Sequence, residues 1–383
     1  MQFRDLAKQY QVLKNEIDQA MLSVASQSHY IMGPQVKELE QQLAEYVGVK
    51  HCLTCANGTD ALTLALKVWG IGRGDAVFVP DLTFFSTAEV VALEGATPVF
   101  VDVDDTTFNM DAQSLETAIQ KTLAEGHLKP RVVIPVDLFG LPADFPLIKS
   151  IAAKYDLLIL EDGAQGFGGS LMSLNSQHSS LNSRACSFGD ISTTSFFPAK
   201  PLGCYGDGGA LFTDNDEWAA LIASYRVHGK GDNKYDNVRL GLNSRLDTMQ
   251  AAILQVKLRA FDHEVERVNE VAEHYTRLLK DKVRTPVIPE GFRSSWAQYT
   301  IQLPNEAKRN ELQQKLKDVG IPTMVYYPKP MHSQTAFQGL EQPVCCDDYV
   351  ANRLCATVLS LPMHPYLESA EIEHICSALV ASL

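Results

Sequence analysis

Leu157-Leu158-Ile159-Leu160-Glu161-Asp162-Gly163-Ala164-Gln165 decides the fold class: an aliphatic run with no polar alternation ends abruptly in two carboxylates and a small-residue turn. A strand with one solvated face would alternate; a continuous apolar run of this length fits a strand covered by helices on both faces. Ala76-Val77-Phe78-Val79-Pro80 has the same texture, and Thr97–Asp102, Val132–Val136, Ile191–Phe196 and Ala210–Thr213 extend the set of strand candidates. Helical patterns alternate with them. Val36, Leu39, Leu43 and Val47 follow Gly33-Pro34, where the proline suits a first helical turn, and Ala61, Leu64, Ala65 and Val68 repeat the period. The pattern predicts an α/β architecture with a mostly parallel central sheet.

The 383 residues are 45% hydrophobic and 21% charged, and 33 Lys+Arg against 46 Asp+Glu give a net charge of -13. That length allows two or three domains. The texture changes after Asp247, where a helical pattern over Thr248–Leu279 leads into a tail rich in proline and short strands, so a large domain over 1–247 and a smaller α/β domain over 248–383 are expected, the N-terminal segment being free to pack on the smaller one. The acidic balance argues against nucleic acid. No apolar run reaches the roughly 20 residues of a membrane span, and MQFRDLAKQY is too polar for a signal sequence, so a cytoplasmic protein is expected. Eight cysteines are too sparse for a disulfide scaffold. Cys52 and Cys55 have CxxC spacing, yet neither a second such pair nor an HExxH motif accompanies them, and no metal is expected. Ser173–Arg184 is Ser/Asn-rich and reads as a surface loop.

Chemistry gathers where an α/β sheet puts ligands, at strand carboxyl ends and helix starts. Asn57-Gly58-Thr59-Asp60 opens an apolar-periodic helix and offers close backbone approach, a hydroxyl and a positive helix terminus to a phosphate; it also reads as a plain cap by Thr59 or Asp60. Either Glu161 or Asp162 should face a cation, because a buried carboxylate is costly without one. Lys200 lies between aromatics and glycines in Ser195–Gly203, surroundings that depress an ammonium pKa and make the amine a nucleophile toward carbonyls. A phosphate cradle, a strand-end Asp and such a lysine are the parts of a pyridoxal phosphate site: the lysine bonds the cofactor aldehyde, and Asp162 keeps the pyridine nitrogen protonated.

Six segments together, CANGTDALTLAL, GDAVFVPDLTFFSTAEVVALEGATPVFVDVD, ILEDGAQGFG, GDISTTSFFPAKPLGCYGDGGALFTD, LNSRLDTMQAAIL and LSLPMHPYL, resemble the DegT/StrS nucleotide-sugar aminotransferases. The resemblance covers nearly the whole chain. It implies a type I pyridoxal-phosphate transferase fold, aspartate aminotransferase-like, with Lys200 as the cofactor lysine, Asp162 as the pyridinium partner and Gln165 bonded to the ring hydroxyl. It puts Gly58, Thr59 and Ser195 on the phosphate and Phe84 against the ring, and implies a homodimer in which Asn243 reaches the neighbouring subunit's phosphate. Arg245 would bind a carboxylate of donor or sugar. Tyr326 stands where some relatives carry histidine, and Tyr327, His332 and His364 are candidate substrate neighbours. The implied reaction is ping-pong, from L-glutamate to the cofactor, held as pyridoxamine phosphate, and then to a keto sugar. The acceptor expected from this likeness is the 3-keto group of a UDP-linked N-acetyl hexuronic acid in O-antigen synthesis, with carbon 4 of a UDP- or dTDP-linked deoxyhexose as runner-up. A sugar dehydratase would carry histidine for Lys200; a regulatory homologue without catalysis would have lost parts of the cofactor set, which is intact here.

Overall fold

The computed structural model describes residues 1–172, 183–233, 235–339 and 349–383. Helices α1 (Leu6–Gln27) and α2 (Pro34–Val47) precede β1 (His51–Cys55), after which α3 (Gly58–Val68), β2 (Asp75–Pro80), α4 (Ser86–Leu93), β3 (Thr97–Val101), α5 (Ala112–Glu125), β4 (Lys129–Val133), α6 (Phe145–Tyr155) and β5 (Leu158–Asp162) alternate. Short strands β6 (Ser170–Leu171) and β7 (Ser183–Arg184) lead to β8 (Ile191–Ser195), β9 (Gly209–Thr213) and α7 (Asp216–Tyr225). The remainder holds α8 (Thr248–Leu279), β10 (Phe292–Arg293), β11 (Tyr299–Gln302), α9 (Glu306–Asp318), α10 (Val350–Thr357), β12 (Val358–Leu361) and α11 (Ser369–Ser382).

Seven strands form one sheet in the order β1-β9-β8-β5-β4-β2-β3. β9 alone runs antiparallel to both its neighbours, and the other pairings are parallel. Side chains alternate between two buried faces, as the period of a strand demands. Val77, Val79 and Leu160 join one core with α3 and α4, whereas Ala76, Phe78 and Ile159 join another with α5 and α6. This is why β2 and β5 show no polar alternation. Each fully buried aliphatic or aromatic side chain there contributes about 1.5–3 kcal/mol.

The 32-residue α8 serves two cores along its length. Ala251, Leu254, Phe261 and Val265 pack with α2 and β9; Val268, Val271, Tyr275 and Leu279 pack with the antiparallel pair β11–β12, α9 and α11. No helix of the described residues is long and apolar enough to cross a membrane. Among those residues no group of three or more His, Cys, Asp or Glu is placed to hold a metal, and Cys52 and Cys55 are buried thiols of β1.

The sequence boundaries need four corrections. β1 was not anticipated, because His51-Cys52-Leu53-Thr54-Cys55 mixes polar and apolar residues; its Thr54 is buried by bonding Glu40. β4 lies at Lys129–Val133 rather than Val132–Val136, since Pro135 interrupts the ladder and Val136 forms only an isolated bridge to Asp162. Of the expected loop Ser173–Arg184, Ser183 and Arg184 are strand β7, paired with β6, and 173–182 lie outside the described residues. The cap of α3 is Asn57, whose side chain accepts the Asp60 N–H at 2.8 Å, not Thr59 or Asp60.

Candidate active site

One cavity of about 640 Å³ opens at the carboxyl ends of β2, β5 and β8 and the start of α3. Nine of the thirteen residues singled out from the sequence line it: Gly58, Thr59, Phe84, Asp162, Gln165, Ser195, Lys200, Tyr326 and Tyr327.

One end of the cavity suits a phosphate. Asn57 turns the chain from β1 into α3 and bonds the Asp60 amide, which leaves the Gly58 and Thr59 N–H groups at the positive end of the helix. Thr59 Oγ1 lies 2.8 Å from Ser86 Oγ, and Ser195 ends β8 directly opposite. A Cβ on residue 58 would stand 2.8 Å from the Ser195 Cβ, so only glycine admits this approach. Amides, two hydroxyls and a helix terminus thus converge on one point.

Asp162 forms the floor and is 5% exposed. Its Oδ2 accepts from the Thr87 hydroxyl at 2.8 Å and its Oδ1 from the Ala164 N–H at 3.2 Å. Burial raises its pKa, opposed by those bonds and by the Lys200 charge. Glu161, one residue earlier on the strand, points to the opposite face and meets no cation. Its carboxylate instead accepts from the Cys186, Phe188 and Gly189 amides and the Ser192 hydroxyl. The expectation that one carboxylate faces a cation therefore applies to Asp162 alone, and Glu161 is satisfied by neutral donors.

Lys200 is half-buried in the β8–β9 loop. Burial lowers its pKa, partly countered by Asp162 and reinforced by Arg4. Gln165 is held at both ends, accepting from the Phe139 N–H at 2.8 Å and donating to Tyr327 Oη at 3.1 Å. Phe84, 52% exposed, presents its ring to the cavity mouth 6.1 Å from the Tyr327 ring. A carboxylate floor, an aromatic wall, a lysine and a phosphate cradle within one cavity fit a phosphorylated, protonated aromatic ring bearing a carbonyl.

Four residues do not line this cavity. Asn243 sits beside Val227 in an isolated bridge, exposed, and its Oδ1 accepts from Arg245 Nη2 at 2.7 Å. His332 is pinned to buried Asp81, main-chain N–H to Oδ1 at 2.8 Å and Nδ1 to Oδ2 at 2.5 Å, and stacks on Tyr349. His364 is 4% exposed and packed near the N-terminal segment. Burial pushes its pKa down to about 4 from 6.5, with the Asp5 charge opposing and Arg4 assisting. The unfolded chain therefore takes up the proton first, so the stabilisation is complete above about pH 6.5 and is lost as pH falls toward 4. Denaturant titrations across that window should show His364→Gln losing up to about 3 kcal/mol less than the parent; equal slopes would sink the assignment.

The sequence did not flag Thr87, which holds Asp162, Ser86, which holds Thr59, or Gln298, a half-buried residue of the cavity lining whose own Oε1 is buried without a partner. Thr87 and Ser86 stand in the Thr83–Thr87 stretch, whose small hydroxyl residues at the carboxyl end of β2 were the available signal.

The DegT/DnrJ/EryC1/StrS aminotransferase family matches residues 11–380. UDP-2-acetamido-2-deoxy-3-oxo-D-glucuronate aminotransferase of Pseudomonas aeruginosa is 44% identical over 380 residues, covering 99% of each chain. A crystal structure of a DegT/DnrJ/EryC1/StrS aminotransferase from Brucella abortus superposes with a TM-score of 0.94 at 47% identity, covering 100% of this chain and 99% of that one. NtdA of Bacillus subtilis, solved with bound cofactor PMP, gives a TM-score of 0.84 at 27% identity over 97% of this chain and 82% of its own.

Proposed function

The chain belongs to the DegT/DnrJ/EryC1/StrS aminotransferase family, and from that premise we propose that it carries pyridoxal 5'-phosphate and moves the amino group of L-glutamate to the 3-keto group of a UDP-linked N-acetyl hexuronic acid, in bacterial surface-polysaccharide synthesis. The observation that carries this reading is the meeting of Lys200, Asp162, Gln165 and the Gly58–Thr59–Ser195 cradle in one cavity. The acceptor rests on the 44% identical relative, which is named for a UDP-linked 3-oxo sugar acid, and the cofactor also on the NtdA structure with PMP.

When bound, the cofactor supplies an electron-withdrawing ring that accepts the charge left when a proton leaves the amino-acid carbon. The chain's own residues do the rest. Gly58 and Thr59 amides with the Thr59 and Ser195 hydroxyls bind the phosphate. Asp162, kept in register by Thr87 and Ala164, holds the proton on the ring nitrogen. Gln165 donates from Nε2 toward the ring hydroxyl, and Phe84 covers the ring's open face. Lys200, with an amine whose proton affinity burial has lowered, takes the proton from one carbon and returns it to another. Asn243 reaches the phosphate of a second copy, and Arg245 beside it takes a carboxylate of donor or sugar.

The test is an absorbance spectrum of the purified protein before and after adding L-glutamate. A visible band that bleaches on addition, followed by recovery with a UDP-linked 3-oxo sugar acid, is the expected result. Recovery with a 4-oxo deoxyhexose instead would move the acceptor carbon, a bound cofactor indifferent to glutamate would overturn the donor, and no cofactor at all would overturn the reading.

A further inference from the structure

The loop that carries Lys200 is fastened from behind by two cations that no cavity contact requires. Arg4 Nη2 donates to the main-chain oxygens of Lys200 at 2.9 Å and Pro201 at 3.3 Å. Lys257 of α8, 2% exposed, donates from Nζ to the Gly203 oxygen at 2.7 Å. These carbonyls lie between β8 and β9 with no ladder to satisfy them, and a charged donor makes roughly twice the bond of a neutral one. The same turn is closed so tightly that a Cβ on Gly203 would stand 2.4 Å from the Pro198 oxygen.

Residues 3 and 4 also reach the cavity wall and the segment after β12. The Phe3 oxygen accepts the Met363 N–H at 3.0 Å, and the Phe3 ring lies 6.2 Å from that of Tyr326 in the cavity wall. One dipeptide thus ties together the Lys200 loop, the Tyr326 wall and the segment after β12. The charged and titratable groups around Arg4 are Lys200 from the loop, Lys257 and Glu264 from α8, Tyr366 and His364 from the segment after β12, and Asp5 beside it. Glu264 answers the two cations while accepting from Gln9 and the Tyr366 hydroxyl.

We propose that Arg4 is a positioning residue: its guanidinium, working with Lys257, fixes the main chain from Lys200 to Gly203 and so holds the Lys200 side chain in the cavity. The inference rests on Lys200 being the reacting lysine. Misplacement of a reacting group by about 1 Å costs on the order of 10²-fold in rate, which a loop released from both carbonyl bonds would reach.

The experiment compares Arg4→Ala and Arg4→Lys with the parent as full-length holoenzyme. Hydrogen exchange is followed at the Lys200 and Cys204 amides, which bond the Phe197 and Phe196 oxygens, each at 2.8 Å. Arg4→Ala should exchange these about tenfold faster while the β2 amides stay unchanged. The rate of the glutamate half-reaction should fall about 10²-fold with glutamate affinity little moved, and Arg4→Lys, able to reach one carbonyl, should recover part of the loss. Parental exchange in Arg4→Ala, faster exchange that extends to β2, or faster exchange with an unchanged half-reaction would each overturn the proposal. Exchange is read before any glutamate is added, so a parent protein indifferent to glutamate would sink the aminotransferase reading, while the exchange result alone still upholds or overturns the clamp.

Discussion

Lys200→Ala should lose transamination by at least about 10⁴-fold while remaining folded. On the proposed function the amine both bonds the cofactor and carries the proton between carbons, and no second amine lines the cavity to replace it among the described residues. Lys257, the other buried lysine nearby, is committed to the Gly203 oxygen and lines the back of the loop. The fold should survive because what anchors residue 200 is its main chain: the N–H bonds the Phe197 oxygen and the carbonyl receives Arg4, and both bonds persist in alanine. Removing a half-buried side chain from a cavity wall leaves no sealed void, so the melting temperature should move by only a few degrees. The check is the glutamate-dependent spectral change. A variant that still bleaches at a comparable rate would remove Lys200 from the mechanism, and one that fails to fold would be separated from that outcome by its melting curve.

How much of this was legible in the sequence depended on whether the signal was local. β2 and β5 could be read because Val77-Phe78-Val79 and Leu158-Ile159-Leu160 are buried on both faces, and continuous apolarity is what two-sided burial looks like in one dimension. β1 escaped because Thr54 is buried as a polar residue bonded to Glu40, a partner fourteen residues away that no periodicity encodes. In the site, residues at strand ends were legible by type: Asp162, Lys200 and Gly58 sit where ligands of α/β sheets sit. Their supports were not. Arg4 and Lys200 are 196 residues apart and meet through a side chain and a main-chain oxygen, a contact blind to the identity of residue 200. For His332 and His364 the residue type alone carried little, since what each side chain meets, Asp81 in one case and a buried surround in the other, lies far away in the chain.

Asp162→Asn should separate catalysis from stability in opposite directions. Folding raises the pKa of this carboxyl, chiefly by burial. A group that binds its proton more tightly folded than unfolded disfavours the folded state wherever it is ionised, so at neutral pH the neutral amide should leave the cofactor-free protein at least as stable as the parent. The hydrogen bonds can also adapt. Asparagine can still accept the Ala164 N–H, and its NH₂ can donate to Thr87 Oγ1, whose own hydroxyl hydrogen can turn to Thr83 Oγ1 at 3.0 Å. What the amide cannot do is hold a proton on the ring nitrogen, because it carries no charge to favour the protonated form. A contact pair of unit charges at an effective dielectric of about 20 is worth about 4 kcal/mol, or about 10³-fold in rate. The half-reaction with L-glutamate should therefore slow by about that factor, with phosphate anchoring through Gly58, Thr59 and Ser195 little affected. Stopped-flow absorbance and melting without added cofactor measure the two halves. A slow but equally or more stable variant is what an aspartate kept for chemistry rather than for the fold produces, whereas a fast variant, or a destabilised one, would return Asp162 to a purely structural role.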